Sequence, residues 1–447
     1  MKDVCNQVWS VRATYIWSWV FKIVLFALFF IPPLFFTYGS INGKIAFINY
    51  SEPKLVAWMV LSWLLISIFW LYAARTPQFQ DRLKIVFQDK LTWLWMAFLV
   101  YLCITAIHTL VIEAAIYELV QFFSLFVLYV VLVPLFAENK FLKLSIWAIL
   151  ISFMLVTIVG FLQFFGLLPF FKAIHGPVHP STFGYKNPAS LALLGQLFLL
   201  AGLGVMYRGS ARPWLSWILW FIMAVEIVYL ATLQSRTAYF AVFVSALWLA
   251  IWIIFKLKKN YPRLIKLSLV AIGITSLLFS SVVFFYRPAW DRVEKILIYV
   301  KDPISFIKSD RGTYLVNSIN MANKNLLGVG IGNWGFAYPV YRTFQPDMYF
   351  DENVQVRRAH GDYAQMLGET GWFGLVLWLS LLGWVFVRGV RVSSKSQSLF
   401  PMFLTVQYGA FLLVMLFDFC IEMPYHKFAF YALIAMVMSA TLKNSQT

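Results

Sequence analysis

Four polar side chains in an otherwise apolar sequence could do chemistry together: His360, Arg311, Arg236 and Asn187. His360 sits in R-R-A-H-G-D-Y-A-Q-M-L-G-E-T-G-W-F-G, residues 357 to 374, where the one long polar stretch of the chain returns to an apolar run. An imidazole with an ordinary pKa of about 6.5 accepts a proton from a hydroxyl at neutral pH; a lone histidine at a helix start can equally be a cap or a headgroup contact. Arg236, in T-L-Q-S-R-T-A-Y-F, stands between two long apolar runs. An arginine at the centre of a membrane helix costs roughly 2.5–3.5 kcal/mol on insertion scales, and less near the interface. It must therefore snorkel to headgroups or face the bundle interior. Arg311, in S-D-R-G-T-Y, either pairs locally with Asp310 or joins a larger site. Asn187 precedes Pro188 in N-P-A-S-L-A, an ordinary helix opening whose free N–H groups could also meet an anion. Two arginines can grip phosphoryl oxygens with planar, bidentate hydrogen bonds, and a histidine can move a proton beside them. Together these residues describe an anion site with a base.

The helix that follows His360 sharpens the motif. At about 100° per residue, His360, Tyr363, Ala364, Leu367 and Gly371 share one face, which makes Tyr363 a further ligand contact. Glu369 falls nearly opposite, so it is expected to partner another span, with Gly371 and Gly374 allowing close helix approach. The sequence contains no Asp-x-Asp or Glu-x-x-His pattern, and neither a metal nor any other cofactor is expected.

The elements that must position these residues are membrane helices. The 447 residues are 61% hydrophobic, 19% aromatic and only 12% charged, with a mean hydropathy of +0.76. That composition predicts an all-α, polytopic bundle. Apolar runs of about 20 residues, the length that crosses a bilayer, place about twelve spans. They cover 19–39, 55–73, 91–110, 114–136, 143–167, 188–206, 213–231, 238–255, 266–286, 364–387, 400–420 and 426–441. The first lacks a small-residue cleavage site and is read as a retained span. Cys5, Cys103 and Cys420 are scattered and offer no disulfide or metal framework.

The net charge of +17 is accounted for by topology rather than by nucleic acid, for which no module is visible. With the N-terminus inside, one set of short loops and tails holds nineteen lysines and arginines and the opposite set holds six. This predicts both termini in the cytoplasm. The remaining connection, 287–363, then faces outward. It is too long for a simple loop and carries helical patterns such as W-D-R-V-E-K-I-L-I-Y-V, so an ordered cap with amphipathic helices at the interface is expected. The organisation is thus 1–286 with nine spans, 287–363 as the external loop, and 364–447 with three spans. All four chemical residues land on the external side.

S-R-T-A opening a span, N-P-A-S-L-A, the turn L-L-G-V-G-I-G-N-W, the histidine motif A-H-G-D-Y-A-Q-M-L-G-E-T-G-W-F-G and the late D-F-C-I-E-M-P resemble, in that order, the O-antigen ligase and polymerase superfamily. The resemblance covers roughly 180 to 440. It implies a helical, metal-independent glycosyltransferase of the bacterial inner membrane that moves a glycan from undecaprenyl diphosphate to an acceptor hydroxyl on the periplasmic face. Arg236 and Arg311 would hold the diphosphate and His360 would deprotonate or position the acceptor. Many members have asparagine after the histidine, where this chain has Gly361, so an amide has no role at that position. Ligase chemistry on lipid A–core, polymerisation on a second lipid-linked unit and protein O-glycosylation remain open, and an anion transporter is the reading from another class.

Overall fold

In the computed structural model the described residues are all but 1, 42–43, 50, 74–75, 169–178, 258–272, 274–276, 278–279, 282, 344–355 and 446–447. The fold is a helical membrane bundle. Helices α1 (Lys2–Leu34), α2 (Ser51–Ala73), α3 (Pro77–Gln88), α4 (Lys90–Ala106), α5 (Ile112–Phe136) and α6 (Asn139–Phe164) form the first part. Then follow α7 (Lys186–Arg208), α8 (Trp214–Thr232) and α9 (Arg236–Leu257). A cap of α10 (Arg287–Lys301), α11 (Pro303–Ile307), α12 (Asp310–Lys324) and α13 (Trp334–Tyr341) separates them from α14 (Asp362–Lys395), α15 (Phe400–Val414) and α16 (Pro424–Ser445).

Among the described residues, eight helices are long and apolar enough to cross a membrane. The bent pair α3 and α4, which meet at 64°, adds a ninth if it is one span. The run expected as one span over 400–420 is a helix of only 15 residues that stops at Val414 and gives way to a turn. The span expected at 266–286 lies largely outside the described residues. Two features were not anticipated. Strands β1 (Thr37–Ile41) and β2 (Lys44–Asn49) pair antiparallel between α1 and α2, and α1 begins far ahead of residue 19.

In hydrocarbon every backbone polar group must be satisfied within the protein, which is why the apolar runs fold as helices. Packing of α7 on α8, of α1 on α2 and α6, and of α16 on α5 buries one continuous apolar core. Polar side chains inside it are tied to backbone. Gln407 of α15 donates to the Leu194 carbonyl at 2.8 Å and accepts from the Phe198 N–H at 3.1 Å, bridging one turn of α7.

The cap is fastened to the bundle at a break in α14. Gly371 adopts φ 67°, ψ −176°, a region essentially reserved for glycine. The break leaves carbonyls that no later turn of the helix can reach. Gly368 and Glu369 instead accept from the N–H groups of Val329 and Gly330, both at 2.9 Å, and Thr370 accepts from the Tyr101 hydroxyl at 2.7 Å. The turn of the cap approaches so closely that a Cβ on Gly371 would stand 2.2 Å from the Leu326 carbonyl oxygen. Asn333 clasps the other side, accepting from the Val111 N–H at 2.7 Å and donating to its carbonyl at 3.1 Å. Above the break, Tyr314, Met321, Trp334, Tyr338, Ala359 and Ala364 form a separate small core.

Gly371→Ala is therefore expected to destabilise the protein by at least about 1–3 kcal/mol, because it combines strain at that φ/ψ with a backbone clash. Thermal unfolding in detergent should show a lowered Tm, and limited proteolysis should cut first within the cap. An unchanged melting curve would mean that the cap is held elsewhere.

Candidate functional site

A cavity of about 410 Å³ opens where the cap meets the bundle, and Asn187, Arg236, Arg311 and His360 all line it. Each arrives from a helix start. Tyr185 and Asn187 lie at the N-terminal end of α7, reached through a 3-10 turn, Ser181–Phe183, and a left-handed Gly184. Arg236 opens α9 after a short connection in which Gln234 is left-handed, at φ 56°. Ser235 caps that helix weakly, accepting from the Ala238 N–H at 3.4 Å. Ser309 caps α12 by accepting from Gly312 N–H at 3.5 Å, placing Asp310, Arg311 and Tyr314 on the cavity. Three helix N-termini thus converge on one space, and each carries partial positive charge on its free N–H groups.

The two arginines are held differently. Arg236 donates to the Tyr299 hydroxyl at 3.3 Å and lies over that ring at 5.6 Å. Arg311 does not turn to Asp310. It donates to Thr237 Oγ1 at 3.0 Å and pairs with Asp418 Oδ2 at 3.4 Å. Asp418 is fully buried, and its other oxygen accepts from the Phe419 N–H at 3.0 Å, so the carboxylate is fixed in place. A guanidinium has five N–H donors, so donors remain on both arginines. Phe240, Ile296, Phe306 and Phe417 supply an apolar wall on the same cavity.

His360 stacks on Tyr314, with ring centroids 5.7 Å apart, and meets the edge of Phe419 at 4.8 Å. Burial pushes its pKa below the ordinary histidine value; the Asp418 carboxylate opposes that and Arg311 adds to it. The imidazole is therefore neutral near pH 7, the state that accepts a proton.

The backbone around His360 corrects one expectation. His360 is left-handed at φ 52° and Gly361 is extended at φ −174°, so the helix starts only at Asp362. Counting 100° per residue from His360 consequently fails. Tyr363 does not reach the cavity: its hydroxyl donates to the Leu412 carbonyl at 3.0 Å and its ring packs on Trp378. Glu369 is structural as anticipated, but it serves the cap. It accepts from the Trp334 N–H at 3.3 Å and from Gln365 at 3.1 Å. Gly361 fits because a Cβ there would stand 3.2 Å from the Leu416 carbonyl oxygen. Asp362 accepts from the N–H groups of Cys420 and Ile421, at 2.7 and 3.1 Å, and so holds the turn that carries Asp418 and Phe419.

Sequence reasoning missed Thr237, Tyr299, Tyr314 and Asp418. Asp418 had a signal, since it opens the D-F-C-I-E-M-P run, but an acid just past an apolar stretch has no partner legible along the chain.

A comparison with curated proteins finds no match. Residues 221–379, which contain Arg236, Arg311 and His360, match the family described as O-antigen ligase. That match lies around the cavity and supports a likeness to the O-antigen ligase and polymerase superfamily.

Proposed function

We propose that the chain transfers a glycan from undecaprenyl diphosphate to an acceptor hydroxyl, in the manner of an O-antigen ligase with lipid A–core as acceptor. The observation that carries this reading is the cavity where three helix N-termini and two arginines meet beside a neutral histidine and an apolar wall. Such a space suits an amphiphile: the diphosphate at the cationic pole and the first part of the carrier lipid along Phe240, Phe306 and Phe417. The acceptor hydroxyl gives its proton to His360 as its oxygen attacks the anomeric carbon. The bond from that carbon to the diphosphate oxygen breaks, and the departing group keeps the electron pair. Negative charge grows on the leaving oxygen, where fixed donors in a partly dry site act most strongly. Arg236, Arg311 and Asn187 bind the diphosphate, and Asp418 positions Arg311. In the cell this reading puts the protein in the bacterial inner membrane, with both termini cytoplasmic and the site on the periplasmic face.

Reconstitution with an undecaprenyl-diphosphate glycan, offering lipid A–core, a second lipid-linked unit and a peptide in parallel, tests the reading. Transfer to lipid A–core alone is the expected result. Chain growth on the second unit would make the protein a polymerase, and substrate counterflow without transfer would make it a transporter.

Arg236→Ala, Arg311→Ala and His360→Ala should each stay folded and lose at least about 100-fold in transfer rate, the range expected for a charge clamp or a general base. Arg236→Lys should also fall, because an ammonium cannot reproduce a planar, two-point contact. Wild-type rates in the purified variants would refute the assignment.

The pH dependence has a definite sign. With its pKa lowered in the folded protein, His360 remains a competent base below the ordinary histidine range. Transfer should therefore rise with pH through a midpoint under about 6.5. Asp418→Asn removes the carboxylate that favours the imidazolium, so it should move that midpoint further down while weakening donor binding. A midpoint displaced upward in Asp418→Asn would contradict the geometry.

A further inference from the structure

A second group of cations stands at the rim of the cavity, on residues that do not line it themselves. Lys186 lies between Tyr185 and Asn187, which both do. On α10, Ile296 and Tyr299 line the cavity, and Arg292 and Lys295 come one turn earlier, so the four share a helix face. Glu294 falls on the opposite face of that helix. Lys186 and Arg292 are half-buried and Lys295 is exposed. Like charges act on the Lys186 ammonium from Arg292 most strongly, then from Arg236, Arg311 and Lys295. Among the described residues none of the three rim cations is ion-paired, although Arg287 on the same helix is, with Asp291 at 3.0 Å.

The cations are ordered with respect to the base. The charges that act most on His360 are Asp418, Arg311, Asp310 and Arg358. Arg311 therefore stands nearest the base, Arg236 comes next, and Lys186, Arg292 and Lys295 lie furthest out. Five cations in all stand against the two carboxylates of the cavity, Asp310 and Asp418. That excess is more than a donor requires. A diphosphate esterified at both ends carries about one negative charge on each phosphorus, and Arg236 and Arg311 match those two. Transfer changes the count. The oxygen that parts from the anomeric carbon keeps the bonding electron pair, so its phosphorus becomes a terminal phosphate with roughly −1.5 to −2 charge at neutral pH. The freed carrier diphosphate is thus more anionic than the donor, and in a partly dry space it is drawn toward additional unpaired cations.

We infer that Lys186, Arg292 and Lys295 form a second anion station, which takes the terminal diphosphate of the freed carrier lipid and draws it off the two arginines. The inference rests on the transfer reading above. It assigns the rim to the product and leaves the donor at Arg236 and Arg311.

Titration calorimetry on the full-length protein in phosphatidylcholine nanodiscs, with no acceptor present, tests it with two probes: farnesyl diphosphate and its sugar ester, farnesyl-diphosphate N-acetylglucosamine. The wild-type protein should bind the free diphosphate more tightly than the ester. In the double variant Arg292→Gln, Lys295→Gln the affinity for the free diphosphate should fall about tenfold, the combined loss expected of two partly exposed charge contacts. The affinity for the ester should fall by a clearly smaller factor. Lys186→Gln, on a different helix, should act in the same direction. Equal losses for the two probes, or no loss for the free diphosphate, would overturn the inference. So would disappearance of the wild-type preference when phosphatidylglycerol is included in the disc, which would give the rim to lipid headgroups. Because nothing is transferred during the titration, failure of the transfer reading shows separately, as absence of product in the reconstituted reaction.

Discussion

The structure depends on carbonyl groups that a broken helix cannot satisfy by itself. At Gly371 the ladder of α14 stops, and the oxygens of Gly368, Glu369 and Thr370 take their hydrogen bonds from the cap turn and from Tyr101. A buried backbone group left unpaired costs about as much as a lost hydrogen bond, so the break obliges the cap to dock in one register. That register brings α12 against the first turns of α14, sets Tyr314 on His360, and delivers Arg311 to Thr237 and Asp418. A helix of 34 residues would be about 51 Å long, well beyond a hydrocarbon core of about 30 Å. The part before the break is accordingly free to serve the cap while the part after it crosses.

The electrostatics follow from where helices begin. Arg236 and Arg311 sit in the first turns of α9 and α12, where a positive side chain opposes the helix dipole. An arrangement mildly unfavourable to each helix concentrates positive potential at one place, and a bound anion offsets it. The buried Asp418 supplies part of that offset in advance. It does so through one oxygen, the other being engaged by backbone.

Much of this was legible along the chain because hydrocarbon imposes simple rules. Apolar runs gave α2 and the helices from α4 to α9 nearly to their ends, whereas α3 falls in a stretch expected as a loop, and an arginine stranded between two such runs marked Arg236. The convergence of Asn187, Arg236, Arg311 and His360 could be anticipated because all four fall at expected span ends or in the connecting cap of one membrane face. What stayed hidden depended on backbone that leaves the helix. Tyr363 was misplaced because a left-handed His360 and an extended Gly361 reset the phase before α14 starts. Asp418 was passed over because its partner lies 107 residues away on a cap helix. The β1–β2 hairpin was not anticipated although Asn42-Gly43, between runs rich in β-branched and aromatic residues, is a strong hairpin signal; span length alone leaves 40–54 as a short loop.

Arg236 comes from the bundle, whereas Arg311 and His360 come from or beside the cap, and Asp418 lies later still. A chain emerging from its N-terminus therefore passes through stages in which one arginine is in place and no site exists. Only after the turn at 415–423 has been made and gripped by Asp362 are both guanidiniums and the histidine held together. The cationic pole is thus completed only by a turn that comes late in the chain.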